Sequence, residues 1–302
     1  MKIKNHLFMA TLSLLALTAC SSDDAGRNAA DGEGRIPILL SSGVSAETCA
    51  ATNIQNDKLD QKTIVDVQIV DKNDKGSLTP ATYGLLQYQV TDANGTLSPV
   101  RKIYPYYPVS GSKVDIYAVY PEGNLDVGSF EVEANQVGKD AYRASDLMFA
   151  KVEDQPAQQA AVVLPFKHML SMVVVKLTKG PNGEDVKKSK VNLLNVATRV
   201  NLTTRGVLGA ADDDSRGPVN MTTEGSVASA AIIVPQSVPA GVLIEVQLAN
   251  NDIVNYETVQ NTVFESGKVY TYNITVIESR LQVTSEVKPW IDTDDLPQTI
   301  KL

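Results

Sequence analysis

Side chains able to do acid–base or covalent chemistry are few in this chain. It holds two histidines and two cysteines. His6 lies in the leader, which leaves His168 alone. One histidine and one thiol make a zinc site only if carboxylates complete the set. A Ser-His-Asp triad would have to use His168. That residue stands between Phe166 and Leu170, at the expected start of a strand, where it reads as structural. Ser110-Gly111-Ser112-Lys113 has S-x-x-K spacing, which serves acyl transfer when a helix brings serine and lysine to one face. The companion motifs Ser-Asp-Asn and Lys-Thr-Gly are missing, and the residues read as a turn before a strand. Asp71-Lys72-Asn73-Asp74-Lys75-Gly76 starts like an EF-hand loop, but Lys75 occupies a ligand position and no glutamate closes the loop. Asp212-Asp213-Asp214-Ser215 and Asp292-Thr293-Asp294-Asp295 read as solvated acidic loops. No phosphate-binding glycine loop occurs. The expectation is no catalytic residue, no metal and no cofactor, hence not an enzyme. The net charge of −8 argues against nucleic acid, which needs clustered lysine and arginine.

The cysteine at position 20 points to different chemistry. Lys2 and Lys4 precede a short apolar run, Leu7 to Leu17, and then Leu17-Thr18-Ala19-Cys20. Residues 1–19 therefore read as a secretory signal peptide, too short for a membrane span. The ending resembles the lipobox of bacterial lipoproteins. That resemblance implies cleavage before Cys20 and lipid, of the palmitate class, on its thiol. Each buried CH₂ contributes about 0.8 kcal/mol of membrane affinity. Residues 20–35 are polar and small, too poor in apolar area to fold alone, and read as a flexible tether. Asp23-Asp24 beside the cysteine resembles signals that send lipoproteins of Bacteroidales to the cell surface. With Cys20 acylated, Cys49 has no partner and no intramolecular disulfide forms.

The elements behind these residues read as strands. Val65, Val67 and Ile69 alternate with Asp66 and Gln68; Val242, Ile244, Val246 and Leu248 share a face; so do Tyr270, Tyr272, Ile274 and Val276. Period-two alternation in β-branched and aromatic residues is the pattern of half-buried strands. Val191 to Val200 alternates as well, and Val173-Val174-Val175 is a run buried on one or both faces. Turn chemistry separates the runs at Asp92-Ala93-Asn94-Gly95, Pro121-Glu122-Gly123-Asn124 and Gly180-Pro181-Asn182-Gly183. Asp140 to Ala150 has room for one or two helical turns. Short, regular spacing favours sandwiches over βαβ units. A polar, proline-bearing segment at 153–159 divides the body into 36–158 and 159–302.

Several segments together resemble the fimbrillins, the lipoprotein subunits of type V pili in Bacteroidales. They are the lipobox with its acidic tether, Ile36-Pro37-Ile38-Leu39-Leu40-Ser41-Ser42, and Val114-Asp115-Ile116-Tyr117-Ala118-Val119-Tyr120-Pro121. Asp146-Leu147-Met148-Phe149-Ala150, Leu164-Pro165-Phe166-Lys167-His168-Met169-Leu170-Ser171 and Val287-Lys288-Pro289-Trp290 complete the set. The resemblance implies two tandem transthyretin-like β-sandwiches after a lipoprotein signal peptide. It also implies that an arginine-specific protease removes the first strand, here Ile36, Ile38 and Leu40 with their neighbours. A strand from the C-terminal part of another fimbrial subunit then fills the groove, a case of β-augmentation.

The chain departs from that pattern. No arginine stands between Arg35 and Arg101. Cutting after Arg27 or Arg35 would release the lipid and leave Ile36 to Ser42 in place. Glu47-Thr48-Cys49-Ala50-Ala51-Thr52 stands where the family's arginine site is expected. The tail Ile291 to Leu302 is short, although Leu296, Ile300 and Leu302 share parity. Two functions remain in view. One is a fimbrial subunit or fimbria-associated lipoprotein of the outer membrane, at the cell surface or in a fimbrium, acting in adhesion. The other is a lone surface lipoprotein that binds glycan or host protein without polymerising. Tyr104, Tyr106 and Tyr107, interleaved with Pro105 and Pro108, are its candidate binding aromatics, although they read more readily as edge or core tyrosines.

Overall fold

A computed structural model describes residues 34–44, 59–72, 83–125, 127–203, 205–223, 228–278 and 280–290. Cys20, Arg27, Cys49 and the tail after Trp290 lie outside them, as do most of the EF-hand-like loop and the last acidic loop. The first strands are β1 (Leu40–Val44), β2 (Ile64–Asp71), β3 (Leu86–Val90), β4 (Thr96–Pro99), β5 (Val114–Tyr120) and β6 (Ser129–Glu131). A six-residue helix, α1 (Lys139–Ala144), precedes β7 (Met148–Gln155) and β8 (Val162–His168). The helix falls where one or two turns were expected.

Seven of these strands pair in a closed ring, β1-β4-β3-β2-β5-β7-β8. The expectation was stacked sheets. The ladder instead runs all the way round, because β1 is antiparallel to β4 and parallel to β8. A closed ring removes the free edges that an open sheet would present. The alternating side chains fill it: Val65, Val67, Ile69, Tyr88, Leu97, Ile116, Leu164 and Phe166 are all buried in one core. β8 lies beyond residue 158 yet belongs to this ring as the partner of β1 and β7. After β8 the chain passes from the ring to the second group of strands between His168 and Ser171.

The remaining strands are β9 (Ser171–Lys179), β10 (Lys190–Ala197), β11 (Arg199–Leu202), β12 (Leu208–Ala211), β13 (Arg216–Asn220), β14 (Thr222–Thr223) and β15 (Ala228–Ile233). After them come β16 (Gln236–Val238), β17 (Gly241–Gln247), β18 (Ile253–Thr258), β19 (Thr262–Phe264), β20 (Lys268–Ile277) and β21 (Arg280–Pro289). One sheet runs β14-β15-β9-β20-β21 and another β13-β10-β17-β18. Val173, Val175, Tyr272 and Ile274 from the first sheet meet Val191, Leu193, Ile244 and Val246 from the second in one core. Small sheets β12-β11-β6 and β16-β19 flank them.

A third core joins the two groups. Tyr117, Val119 and Phe149, on the outer face of the ring, meet Leu125, Phe130 and Tyr142, and then Met172, Val174, Ile232 and Trp290. This explains two sequence features. β2 buries both faces, Asp66 and Gln68 included, because its outer side is covered. Met172 to Val175 in β9 form an unbroken apolar run because even and odd residues enter different cores. The described residues from Ile36 to Trp290 accordingly form one compact unit.

Candidate functional site

Residues 36–44 hold the strand that closes the ring. Ile38, Leu40 and Ser42 point inward and are buried, while Leu39, Ser41 and Gly43 alternate outward and are half-exposed. The expected strand was Ile36 to Ser42; the ladder runs Leu40–Val44. Pro37 has no N–H to donate, and at Pro37 the chain forms only an isolated bridge, to Tyr106. Hydrogen bonds Ile38 N to Pro105 O (2.8 Å) and Tyr107 N to Ile36 O (2.9 Å) hold the approach. The segment therefore changes partners at residue 39, from the tyrosine–proline stretch to β4 and β8.

Its two flanks differ. Against β8 it forms five parallel pairs, Leu40↔Val162 to Val44↔Phe166. Against β4 it forms two, Leu40↔Leu97 and Ser41↔Thr96. The short side is closed by a clamp at the tip of the β3–β4 hairpin. Ser42 N donates to Gly95 O at 2.7 Å and Ser42 Oγ to the same oxygen at 3.2 Å. Gly95 sits at φ +80°, and a Cβ there would lie 2.6 Å from the Ser42 carbonyl oxygen, so only glycine fits this turn. Without β1, both β4 and β8 would present unpaired backbone groups beside Leu97, Val162, Leu164 and Phe166. That is a groove shaped for an extended peptide with an apolar side chain at every second residue.

The other residues singled out in the sequence fall elsewhere. Arg35 is exposed next to Gly34 at φ +86°. Tyr107 is a core residue, 4% exposed, inside the ring. Tyr104 and Tyr106 are half-buried, and the Tyr106 backbone exchanges hydrogen bonds with the Tyr83 hydroxyl (2.7 and 3.0 Å). Ser110, the serine of the S-x-x-K spacing, stands in a turn with its Oγ 3.0 Å from Ser112 Oγ, which donates to Asp71 (2.6 Å). Asp213 holds Arg216 (2.6 Å).

His168 ends β8 instead of starting a strand. Its Nδ1 lies 2.7 Å from Asp146 Oδ1; a carboxylate only accepts, so Nδ1–H donates. The ring stacks on Trp290 at 4.3 Å between centroids and 1° between planes. All three residues are buried. Trp290 N donates to Gly267 O, and Gly267 N to Leu170 O (both 2.8 Å). The constellation ties the end of β21 to the junction of β8 and β9. The sequence did not pair these residues, although each lies in one of the segments behind the family resemblance.

Comparison with known proteins follows the fold. The model of the family described as fimbrillin-like matches residues 51–290. Fim1C of Bacteroides uniformis, a candidate fimbrium subunit, is 24% identical over 308 residues, covering 95% of each chain. A candidate cell adhesion protein of B. uniformis has a crystal structure with TM-score 0.67 at 18% identity, covering 85% of this chain and 98% of that one. Another, from Bacteroides ovatus, also gives 0.67, at 20% identity over 85% and 99%.

Proposed function

Because the chain belongs to the fimbrillin-like family, we propose that it is a fimbrial subunit or fimbria-associated surface lipoprotein. In this reading it enters assemblies by β-strand addition and serves cell adhesion. The observation that supports strand addition is β1 with its approach: a short strand near the start of the described residues, clamped at Gly95, in which Ile38 of the approach and Leu40 of the strand fill the ring. An incoming strand of the same alternation would recover those backbone bonds and refill the same core. In the same reading Cys20 carries the lipid that holds the protein to the outer membrane, at the cell surface. In this reading the two tandem domains of such a subunit, expected at 36–158 and 159–302, divide between His168 and Ser171, because β8 completes the first ring.

Arginine spacing favours a second reading. Arg35 is exposed just ahead of Ile36, and no arginine follows until Arg101. A cut after Arg27 or Arg35 leaves β1 in its slot, so the protein would act as a lone adhesin for glycan or host protein. A protease assay separates the two. The mature chain is treated with a trypsin-like protease; its N-terminus is read by mass spectrometry and its size by gel filtration. The first reading expects a start beyond Val44 together with oligomers. A start at Ile36 in a lasting monomer selects the second. Absence of oligomers with and without protease ends the polymer reading. Loss of glycan-array binding in Tyr104→Ala with Tyr106→Ala would support the lone adhesin.

A further inference from the structure

Charge is segregated along the first ring. From Ala93 to Val114 the chain has Arg101, Lys102 and Lys113 and no acidic residue, in a protein of net charge −8. The facing stretch Tyr83 to Val90 has no charge at all. The register places these stretches side by side: Tyr88 pairs with Pro99, and Val100 N donates to Gln87 O at 2.9 Å. A tight turn follows, closed by Lys102 N to Pro99 O (2.9 Å).

That turn shows water an unusual mixture. Ile103 is 70% exposed, Leu85 56% and Val100 47%. Arg101 and Lys102 between them are exposed and make no ion pair among the described residues. Exposed apolar residues occur elsewhere, as at Val259, and a lone one needs no explanation. Here three lie beside two unpaired cations.

The turn also sits where the chain comes in. Residues 105–107, just beyond it, pair with Ile36 to Ile38. Fully extended, the stretch from Cys20 to Ile36 reaches at most about 55 Å. A lipid on Cys20 would thus keep this end of the ring within that distance of a bilayer. Lysine and arginine meet anionic headgroups while nearby apolar side chains enter the headgroup boundary. We propose that Leu85, Val100, Arg101, Lys102 and Ile103 form a docking surface for an anionic lipid bilayer. Its cellular use rests on the reading of Cys20 as the lipid-bearing residue. The contact would lay the protein against the membrane and keep β1 shielded beside it.

Flotation tests the surface without the lipid. The mature chain carrying Cys20→Ala is mixed with vesicles of phosphatidylcholine alone or with one-third phosphatidylglycerol. It should float with the anionic vesicles only, and less as salt rises. Each cation contributes about fivefold near such a surface, so Arg101→Gln with Lys102→Gln should weaken binding about 25-fold. Ile103→Ser should weaken it as well, with unchanged unfolding midpoints showing that the variants fold. The control pair Lys187→Gln with Lys190→Gln should change nothing. No flotation, equal binding to both vesicle types, or an equal loss from the control pair overturns the docking surface. So does binding to polyglutamate but not to vesicles, which would assign the patch to an acidic polymer. Mass spectrometry of the chain from cells tests the anchor separately. Lipid on Cys20 without flotation spares the anchor and sinks the surface; flotation with an unmodified Cys20 does the reverse.

Discussion

Each half of the molecule opens with a strand that runs parallel to one arriving much later, and the two are built to different strengths. β1 pairs with β8 over five residues and with β4 over two. β9 pairs with β20 over nine residues and with β15 over six. β1 has a half-exposed outer face, whereas β9 feeds two cores. Local opening follows the amount of buried apolar surface and backbone pairing that must be given up. The same topological device therefore gives a lightly held strand at one end and a deeply buried one at the other, as the proposed strand addition requires.

The largest effect should come from breaking the permanent strand. Val174 is fully buried in the core shared by both halves. Val174→Asp places a charge there without a partner and should cost more than about 4 kcal/mol. The expected outcome is loss of soluble, cooperatively melting protein. Leu40→Asp, an equal insult at β1, should leave a chain whose β9–β20 amides are still protected. Equal collapse of both variants would erase the contrast.

Trp290 comes next. Truncation to alanine removes a fully buried ring and its stack on His168, at about 3–5 kcal/mol. Because that stack joins β21 to the ring, thermal melting should broaden or split. A single sharp transition at the parental midpoint would show that the joint does not couple the halves.

The clamp on β1 is a smaller lever. Gly95→Ala puts a Cβ against the Ser42 carbonyl at a φ that favours glycine, worth about 1–3 kcal/mol. The loss should appear as faster exchange at the Ser42 amide, with β9 unaffected.

Asp66 gives the smallest effect. Burial pushes its carboxyl pKa up, against hydrogen bonds from Gly123, Gln87 and Asn124 that hold it down. Folding thus shifts the carboxyl toward its neutral form relative to the unfolded chain. Its contribution is fully present below the unfolded pKa of about 3.9 and declines as pH rises through the folded value. Asp66→Asn should remove that decline and change stability at neutral pH by about 1 kcal/mol or less. A steeper loss with pH in the variant would contradict this sign.

Much of the fold was legible because alternation reports one-sided burial. Tyr270 to Val276 fall in β20 and Val242 to Gln247 in β17, with Leu248 one residue beyond the strand. Asp66 and Gln68 misled for a physical reason: they alternate like solvent-facing residues, yet a covering layer buries them. Ring closure was illegible, since a parallel pair between residues 40–44 and 162–166 leaves no local mark. Tyr107 shows the same limit, because an aromatic in a proline-rich stretch reads alike in a loop and in a core. Asp146, His168 and Trp290 are far apart in sequence, and only the fold stacks them.

Native-state hydrogen exchange tests the central claim, that β1 is the strand that opens first. The amides to compare are Ile38, Ser42 and Val162, bonded to Pro105, Gly95 and Leu39, against those of Val173 to Val175 and Tyr270 to Ile274. The account predicts that the first set exchanges through a partial opening at a lower free energy than global unfolding. Exchange of both sets at the same free energy, through global unfolding alone, would contradict it.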